Sequence, residues 1–245
     1  MWQSADGCGI VARMILHRFA AALSATLFVL TASPVLAAPV HAVHKPAAYV
    51  PIPLADTVRV AMVTTLGTIE IDLDGKHAPI STANFLHYVD TKHFDGIVFY
   101  RAMHLAWGTP PNGLIQAGVR DTRLLYAPIA HEPTSQTGLS HTVGAISMAR
   151  NAPGSATADF SILLSDMTGL DADPKATNPD LALGYAVFGH VVSGMDVARK
   201  IFDAPLSSTM GEGIMRGQML SEPVKVLTVR REPIPATPPA PTPAQ

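Results

Sequence analysis

Apolar and polar residues alternate over two stretches near the start of the central part of the chain. Val58, Val60 and Met62 alternate with less apolar neighbours, and a second alternation covers residues 69–74. A period of two is typical of a strand with one buried face. Residues 65–67, between the two stretches, are short enough for a hairpin turn. The pattern therefore predicts a pair of adjacent antiparallel strands.

Two segments have apolar residues at helical spacing. The first runs from Ala78 to about Lys92 and has Phe85, Leu86 and Val89 on one face. Its second residue is a proline, which the first turn of a helix tolerates. The second segment covers 195–202 and has a similar apolar face. We predict one early and one late helix.

Six further short apolar segments are predicted as strands. They are Ile97–Tyr100, Leu114–Ala117, Gly144–Ala149, Phe160–Leu164, Ala186–Val191 and Val224–Val229. The strands do not alternate with helices, which disfavours a doubly wound parallel sheet. The predicted fold is mainly β: a closed antiparallel eight-stranded β-barrel capped by two α-helices.

The N-terminal residues have the layout of a secretory signal. A basic stretch covers 13–18, an apolar run follows over 19–30, and small residues lead up to Ala37. The run is short for a membrane span of about 20 residues, so cleavage is expected rather than an uncleaved anchor. Residues 1–37 are predicted to be a signal peptide, which implies a periplasmic protein with no membrane span after cleavage.

Proline-rich segments flank the predicted barrel. Residues 38–55 contain four prolines and are predicted to be a linker, and residues 231–245 contain six and are predicted to be a disordered tail. The folded domain is therefore expected over 56–230. The tail could also be a ligand for a partner.

Composition narrows the class of protein. The 245 residues are 48% hydrophobic and 15% charged, which suits a chain with a core. The formal net charge of −2 argues against a basic nucleic-acid-binding protein. The single cysteine, Cys8, can form neither an internal disulfide nor a cysteine-based zinc cluster. We expect no nucleic-acid partner and a monomer.

Three other features predict no site. His41 and His44 have no third metal ligand nearby, so no metal is expected. The acidic stretch 171–180 lacks the spacing of a calcium loop. His141 and Ser147 are not part of a G-x-S-x-G elbow, so no hydrolase is predicted.

Six segments in series resemble motifs of the cyclophilin-type peptidyl-prolyl isomerases, in that family's order. They are Gly67–Ile71, Ala78–Phe85, Phe94–Arg101, Ile115–Gly118, Gly144–Arg150, and Val187–Val191 followed by Gly194–Asp196. The resemblance covers roughly 57–229. It implies a closed barrel and a peptidyl-prolyl cis-trans isomerase that needs no cofactor and acts on proline-containing polypeptides.

The chemistry of such an isomerase requires few groups. Rotation about an X-Pro amide must overcome about 18–20 kcal/mol of conjugation, and no bond to the substrate has to form. A donor that engages the proline nitrogen makes twisting easier, and a guanidinium is planar, rigid and always charged. The resemblance assigns this role to Arg101, which without the motif would be a surface ion-pair residue.

The resemblance also implies a set of residues around the substrate. Gln116 would hydrogen-bond the substrate backbone and orient Arg101. The substrate-binding residues would be Leu114, Ala149, Asp159, Ser161, Leu170 and Tyr185.

Three positions depart from the aromatic residues that the family usually has. They are Gly113, Ser161 and Gly169, and the segment after Arg101 is longer than usual. We therefore hypothesise that Trp107 in that segment folds back to supply part of the missing wall; the alternative is an outward-facing surface indole. The thinner pocket also favours a second function, a proline-peptide-binding chaperone or scaffold with little turnover.

Overall fold

The structure, a computed structural model, describes residues 53–234. Its strands are β1 (Thr57–Thr64), β2 (Gly67–Asp74), β3 (Val98–His104), β4 (Gly113–Gly118), β5 (Ala145–Met148), β6 (Phe160–Leu163), β7 (Ala186–Ser193) and β8 (Met219–Glu232). Its helices are α1 (Pro79–Asp90), α2 (Thr134–Thr137), α3 (Pro179–Leu183) and α4 (Met195–Phe202). The predicted signal peptide, most of the linker and most of the tail lie outside the described residues.

The eight strands form a closed barrel in the order β1-β2-β7-β5-β6-β4-β3-β8, and every pair is antiparallel. The predicted fold class is confirmed, and α1 and α4 are the two predicted helices. No helix among residues 53–234 is long and apolar enough to cross a membrane.

The last strand is longer than its apolar pattern predicts. β8 begins at Met219 and ends at Glu232, whereas the sequence predicts a strand over Val224–Val229 only. It pairs with both β1 and β3. Backbone hydrogen bonding to two neighbours extends a strand through polar residues, which hydrophobic periodicity cannot register.

The alternation of side chains separates the interior of the barrel from its functional face. On β4, Ile115 and Ala117 belong to the main core, where Phe85, Phe160 and other aromatic rings pack together. Leu114 on the same strand belongs to a second, smaller apolar cluster. Because successive residues of a strand point to opposite faces, Gln116 lies on the side of Leu114, away from the main core.

A distant carboxylate completes the start of α1. The first turn contains Pro79 and has no local side-chain cap. The buried Glu132 accepts hydrogen bonds from the backbone N–H groups of Ile80, at 2.9 Å, and Ser81, at 2.6 Å. A negative charge at a helix N-terminus is favourable, so Glu132 supplies the cap that the local sequence lacks.

Candidate active site

One cavity of about 590 Å³ lies on the outer side of the barrel. All eight residues predicted for the site line it. They are Arg101, Leu114, Gln116, Ala149, Asp159, Ser161, Leu170 and Tyr185. The structure thus brings the predicted residues to one place, while their roles toward a substrate stay predictions.

A row of polar side chains crosses four adjacent strands along the wall of this cavity. Arg101 on β3 is paired with Gln116 on β4, Gln116 with Ser161 on β6, and Ser161 with Ser147 on β5. Directly paired residues of an antiparallel sheet present their side chains on the same face. Strand register therefore places a guanidinium, an amide and two hydroxyls side by side.

Arg101 is held by uncharged groups. Its Nη1 donates to Gln116 Oε1 at 2.8 Å, and its Nε and Nη2 donate to Gln218 Oε1 at 2.9 and 2.6 Å. The ion pairs found among residues 53–234 do not include Arg101. Burial lowers the pKa of Arg101, but an arginine has so high an ordinary pKa that it stays charged. The site thus contains an oriented positive charge that no carboxylate neutralises.

Gln218 was not predicted from the sequence. This residue directly precedes β8 and is 117 positions from Arg101 along the chain. Its own amide is oriented by a hydrogen bond from Nε2 to the Ile214 carbonyl, at 2.9 Å. No local motif marks it, because its function comes from the closure of the barrel between β3 and β8.

Asp159 lies at the edge of the cavity with its carboxylate engaged. It accepts a hydrogen bond from the Tyr100 hydroxyl at 2.8 Å and from Arg120 Nη2 at 2.6 Å. The Arg120 guanidinium also lies 4.2 Å from the centre of the Tyr100 ring. Burial, together with Asp159, raises the pKa of Tyr100, which therefore stays protonated and donates. Asp159 thus fixes the position of two other lining residues.

Tyr185 and Leu170 form another side of the cavity. The Arg150 guanidinium lies 4.6 Å from the centre of the Tyr185 ring, and its Nη2 donates to the Gly184 carbonyl at 2.6 Å. The Tyr185 backbone N–H donates to the Leu170 carbonyl at 2.9 Å. These contacts hold the phenol and the leucine together as one wall.

The three small positions differ in their surroundings. Ser161 lines the cavity, whereas Gly113 and Gly169 do not. At Gly113 the backbone has φ +144°, and a Cβ would lie 1.8 Å from the Met103 carbonyl oxygen, so the local backbone leaves no room for a side chain. At Gly169 an added Cβ would meet open space. At Gly113 the backbone itself thus requires glycine, and the loss of aromatic surface at the other two positions stays a prediction.

The hypothesis that Trp107 rebuilds the wall is wrong. The Trp107 side chain is 66% exposed and does not line the cavity. The Leu105 N–H donates to the Asn112 carbonyl at 2.9 Å, which extends the pairing of β3 and β4. The intervening residues therefore project beyond the strand ends and carry the indole away from Arg101.

Methionine side chains line the cavity instead. Met103, Met148, Met215 and Met219 all contribute to its surface. Methionine is unbranched and adapts its shape to irregular space, so it can follow ligands of different outline. These residues were not predicted from the sequence, because scattered methionines have no periodic signal.

Comparisons with known proteins identify the family of this chain. A family model for cyclophilin-type peptidyl-prolyl cis-trans isomerases matches residues 59–230. A peptidyl-prolyl cis-trans isomerase of Acinetobacter baylyi is 39% identical over 182 residues, covering 72% of this chain and 86% of the relative. Peptidyl-prolyl cis-trans isomerase A of Dickeya dadantii is 35% identical, covering 58% of this chain and 70% of the relative.

A solved structure has the same fold. The crystal structure of a cyclophilin-type isomerase of Cryptosporidium parvum superposes with a TM-score of 0.55 at 16% identity, covering 73% of this chain and 99% of that one. The family model covers most of the barrel, and the solved structure shares its fold. This chain belongs to the cyclophilin-type peptidyl-prolyl cis-trans isomerase family.

Proposed function

We propose that this protein catalyses the cis-trans isomerisation of X-Pro bonds in polypeptides and uses the cavity around Arg101 to do so. The observation that carries the proposal is the Arg101 guanidinium, oriented by Gln116 and Gln218 and left without a carboxylate partner. The curated relatives named above are peptidyl-prolyl cis-trans isomerases. A further Cryptosporidium parvum structure was determined in the presence of the dipeptide Ala-Pro.

The proposed mechanism lowers the rotational barrier by binding the twisted amide. As the X-Pro bond rotates, conjugation is lost and the proline nitrogen becomes a hydrogen-bond acceptor. Arg101 donates to that nitrogen, and the Gln116 amide hydrogen-bonds the substrate backbone. A donor that is fixed before the substrate arrives requires no reorganisation during rotation.

The rate acceleration expected from the Arg101 hydrogen bond suits a reaction without covalent steps. A hydrogen bond involving a charged group contributes about 1.5–3 kcal/mol. If that bond forms only in the twisted state, it accelerates rotation by roughly 10- to 100-fold. Apolar contacts with Leu114, Leu163 and the methionines hold the proline ring while the preceding residue turns.

One observation favours the second function, a binding module with little turnover. Ser161 places a hydroxyl where the family resemblance implies an aromatic floor, and burial of an aromatic side chain contributes about 1.5–3 kcal/mol. Weaker contact with the proline ring reduces binding of substrate and transition state alike. The intact Arg101 arrangement nevertheless supports the isomerase as the first proposal.

A protease-coupled assay with a short Ala-Pro peptide distinguishes the two functions. An isomerase shortens the slow phase in proportion to enzyme concentration, and it also accelerates the proline-limited refolding of a model protein. Peptide binding detected by calorimetry without acceleration of either reaction would establish the binding module instead.

The cellular location is a separate proposal. The basic, apolar and small-residue layout of residues 1–37 supports export to the periplasm, where the protein would assist the folding of other exported chains. Mass spectrometry of protein purified from the periplasmic fraction should find Ala38 at the N-terminus. An intact N-terminus in the membrane or cytoplasmic fraction would overturn both cleavage and location.

A further inference from the structure

Three residues outside the proposed isomerase chemistry form a continuous hydrogen-bonded relay. Ser147 Oγ lies 2.9 Å from His141 Nε2, and His141 Nδ1 lies 2.6 Å from Asp171 Oδ1. A hydroxyl, an imidazole and a carboxylate in this order activate serine in several unrelated folds. Such a constellation is recognised by its geometry, so the missing G-x-S-x-G elbow does not exclude it.

The carboxylate and the imidazole of this relay are held in place by hydrogen bonds. Asp171 accepts hydrogen bonds from the His141 backbone N–H, at 2.9 Å, and from the Ser140 hydroxyl, in addition to the imidazole. Because Asp171 accepts a hydrogen bond from the protonated Nδ1 of His141, the lone pair on His141 Nε2 points at the Ser147 hydroxyl. His141 is fully buried, and burial lowers its pKa, so the imidazole is neutral and able to accept a proton.

The relay ends at a residue of the cavity wall. Ser147 lines the cavity together with Arg101 and Gln116, although the residue as a whole is 4% exposed. The pairing of β5 with β7 shifts register between Ile146 and Ser147, and such irregularities redirect side chains near functional sites.

The small residue at position 161 keeps the path to Ser147 open. Ser161 is the direct pairing partner of Ser147 and lines the same cavity. Side chains of directly paired residues are about 4.5–5.5 Å apart at Cβ, so an aromatic ring at this position would cover Ser147. Within residues 53–234 the Ser161 hydroxyl forms no hydrogen bond, so it is free to donate to a bound group.

We propose that Ser147 is an activated nucleophile that accepts acyl groups from small carboxylic esters bound in the cavity. Ser147 Oγ attacks the ester carbonyl while its proton moves to His141 Nε2. The bond from carbon to the alkoxy group then breaks, and the departing alcohol takes that proton. Water completes the cycle by the same route: it gives a proton to His141, releases the carboxylic acid, and Ser147 regains its hydrogen.

The surrounding groups fit this class of substrate. The negative oxygen that forms during attack needs a donor, and the unpaired Ser161 hydroxyl beside Ser147 is placed to provide one. The cavity holds about 590 Å³, and its lining combines apolar side chains such as Leu114 and Leu163 with polar ones, which suits a compact ester with a small hydrophobic group.

Covalent labelling of the purified full-length protein tests the proposal. We expect diisopropyl fluorophosphate to phosphorylate Ser147 with loss of fluoride, as shown by intact mass and peptide mapping. General base assistance contributes about 100-fold or more, so Ser147 should react at least about 100-fold faster than the exposed Ser208 in the same sample. Labelling of Ser147 no faster than Ser208 would overturn the proposal.

Two variants separate the relay from its access path. Asp171→Asn removes the carboxylate that orients His141 and should slow the labelling of Ser147 at least about 10-fold. Ser161→Phe leaves the relay residues unchanged but covers Ser147, so it should block labelling. The matched Ser161→Ala keeps the path open but lacks the proposed oxyanion donor, so it should be labelled more slowly than the unmodified protein and clearly faster than Ser161→Phe.

The second pair keeps the test decisive even if Asp171→Asn fails to fold. Equal labelling in Ser161→Phe and Ser161→Ala would show that the reagent does not reach Ser147 through the cavity. Hydrolysis of p-nitrophenyl acetate should follow the same order among the variants. Because prolyl isomerisation is measured separately with the Ala-Pro peptide, failure of one activity leaves the other measurable.

Discussion

Two arginines on the barrel have different partners. Arg230 on β8 binds Asp95 in a side-by-side arrangement, with its Nη1 2.6 Å from Oδ1 and its Nη2 2.6 Å from Oδ2. Among residues 53–234, the only strong acceptors that Arg101 on β3 binds are the amide oxygens of Gln116 and Gln218, together with the weakly accepting sulfur of Met103. One guanidinium is neutralised at the surface, and the other lines a cavity.

The difference shows how a barrel separates structural from chemical use of the same side chain. Asp95 satisfies the Arg230 donors and cancels its charge, and the hydrogen bond to Asp95 raises the pKa of Arg230. An amide oxygen fixes the direction of Arg101 but leaves its charge unbalanced, and burial lowers its pKa. A cation with oriented donors and no counter-charge is suited to a transient acceptor in a substrate.

The largest effect is expected from removing the cavity guanidinium. Arg101→Ala should lower kcat/KM on an Ala-Pro peptide by about 10- to 100-fold, because a charge-assisted hydrogen bond to the twisted amide is lost. Arg101→Lys should also be slow, since a point charge cannot reproduce the planar fork. Circular dichroism checks that the fold is retained.

Arg230→Ala is the matched control for this change. It removes the same side chain from a surface ion pair and should leave the peptide rate unchanged. Equal rates for Arg101→Ala and the unmodified protein would mean that the chemistry lies elsewhere and that the contrast between the two arginines has no functional meaning.

A carboxylate placed beside Arg101 should give it the surroundings of Arg230. Gln218→Glu keeps an acceptor for Nε and Nη2 but adds a negative charge, so Arg101 becomes ion-paired. We expect about a 3- to 10-fold lower kcat, because about 1 kcal/mol is needed to break this ion pair when the guanidinium turns to the substrate. Thermal stability should be unchanged or higher. Gln136→Glu adds the same charge at an exposed position and should change neither quantity.

The ion pair of Arg230 should affect stability in acid. The hydrogen bond from Arg230 lowers the pKa of Asp95, so the pair stabilises the fold above the ordinary pKa of 3.8 and loses its effect as pH falls through the lower folded value. Solvent screening limits the contribution to about 1 kcal/mol or less. Asp95→Asn should therefore lower the free energy of unfolding at pH 7 and converge with the unmodified protein in strong acid. An equal difference in the free energy of unfolding between the two proteins at both pH values would contradict this.

The smallest effect is expected at the exposed indole. Trp107→Ala should change KM for the Ala-Pro peptide by less than about 2-fold, because the side chain does not line the cavity. The difference in fluorescence between the unmodified protein and Trp107→Phe should show the emission of a solvated indole. A blue shift at saturating peptide would restore the rejected hypothesis.

Local pattern predicted the eight strands, the two longer helices and the fold class, but not α2, α3 or the full length of β8. Alternation at period two marked strands such as β1 and β2, and helical spacing marked α1 and α4, because these signals depend on which face of one element is buried. The family resemblance then named eight residues, and all of them line the same cavity. Residues far apart in the sequence could be assigned to one site only because the fold of the family they resemble is already known.

Contacts between distant segments were decided by the tertiary structure. Gln218 reaches Arg101 through barrel closure, and Asp171 orients His141 toward Ser147 although 30 residues separate the carboxylate from the imidazole. The extended pairing of β3 and β4 turned Trp107 outward. Hydrophobic periodicity records burial of single residues, whereas hydrogen bonds between strands depend on register and curvature, which the chain acquires only when the barrel closes.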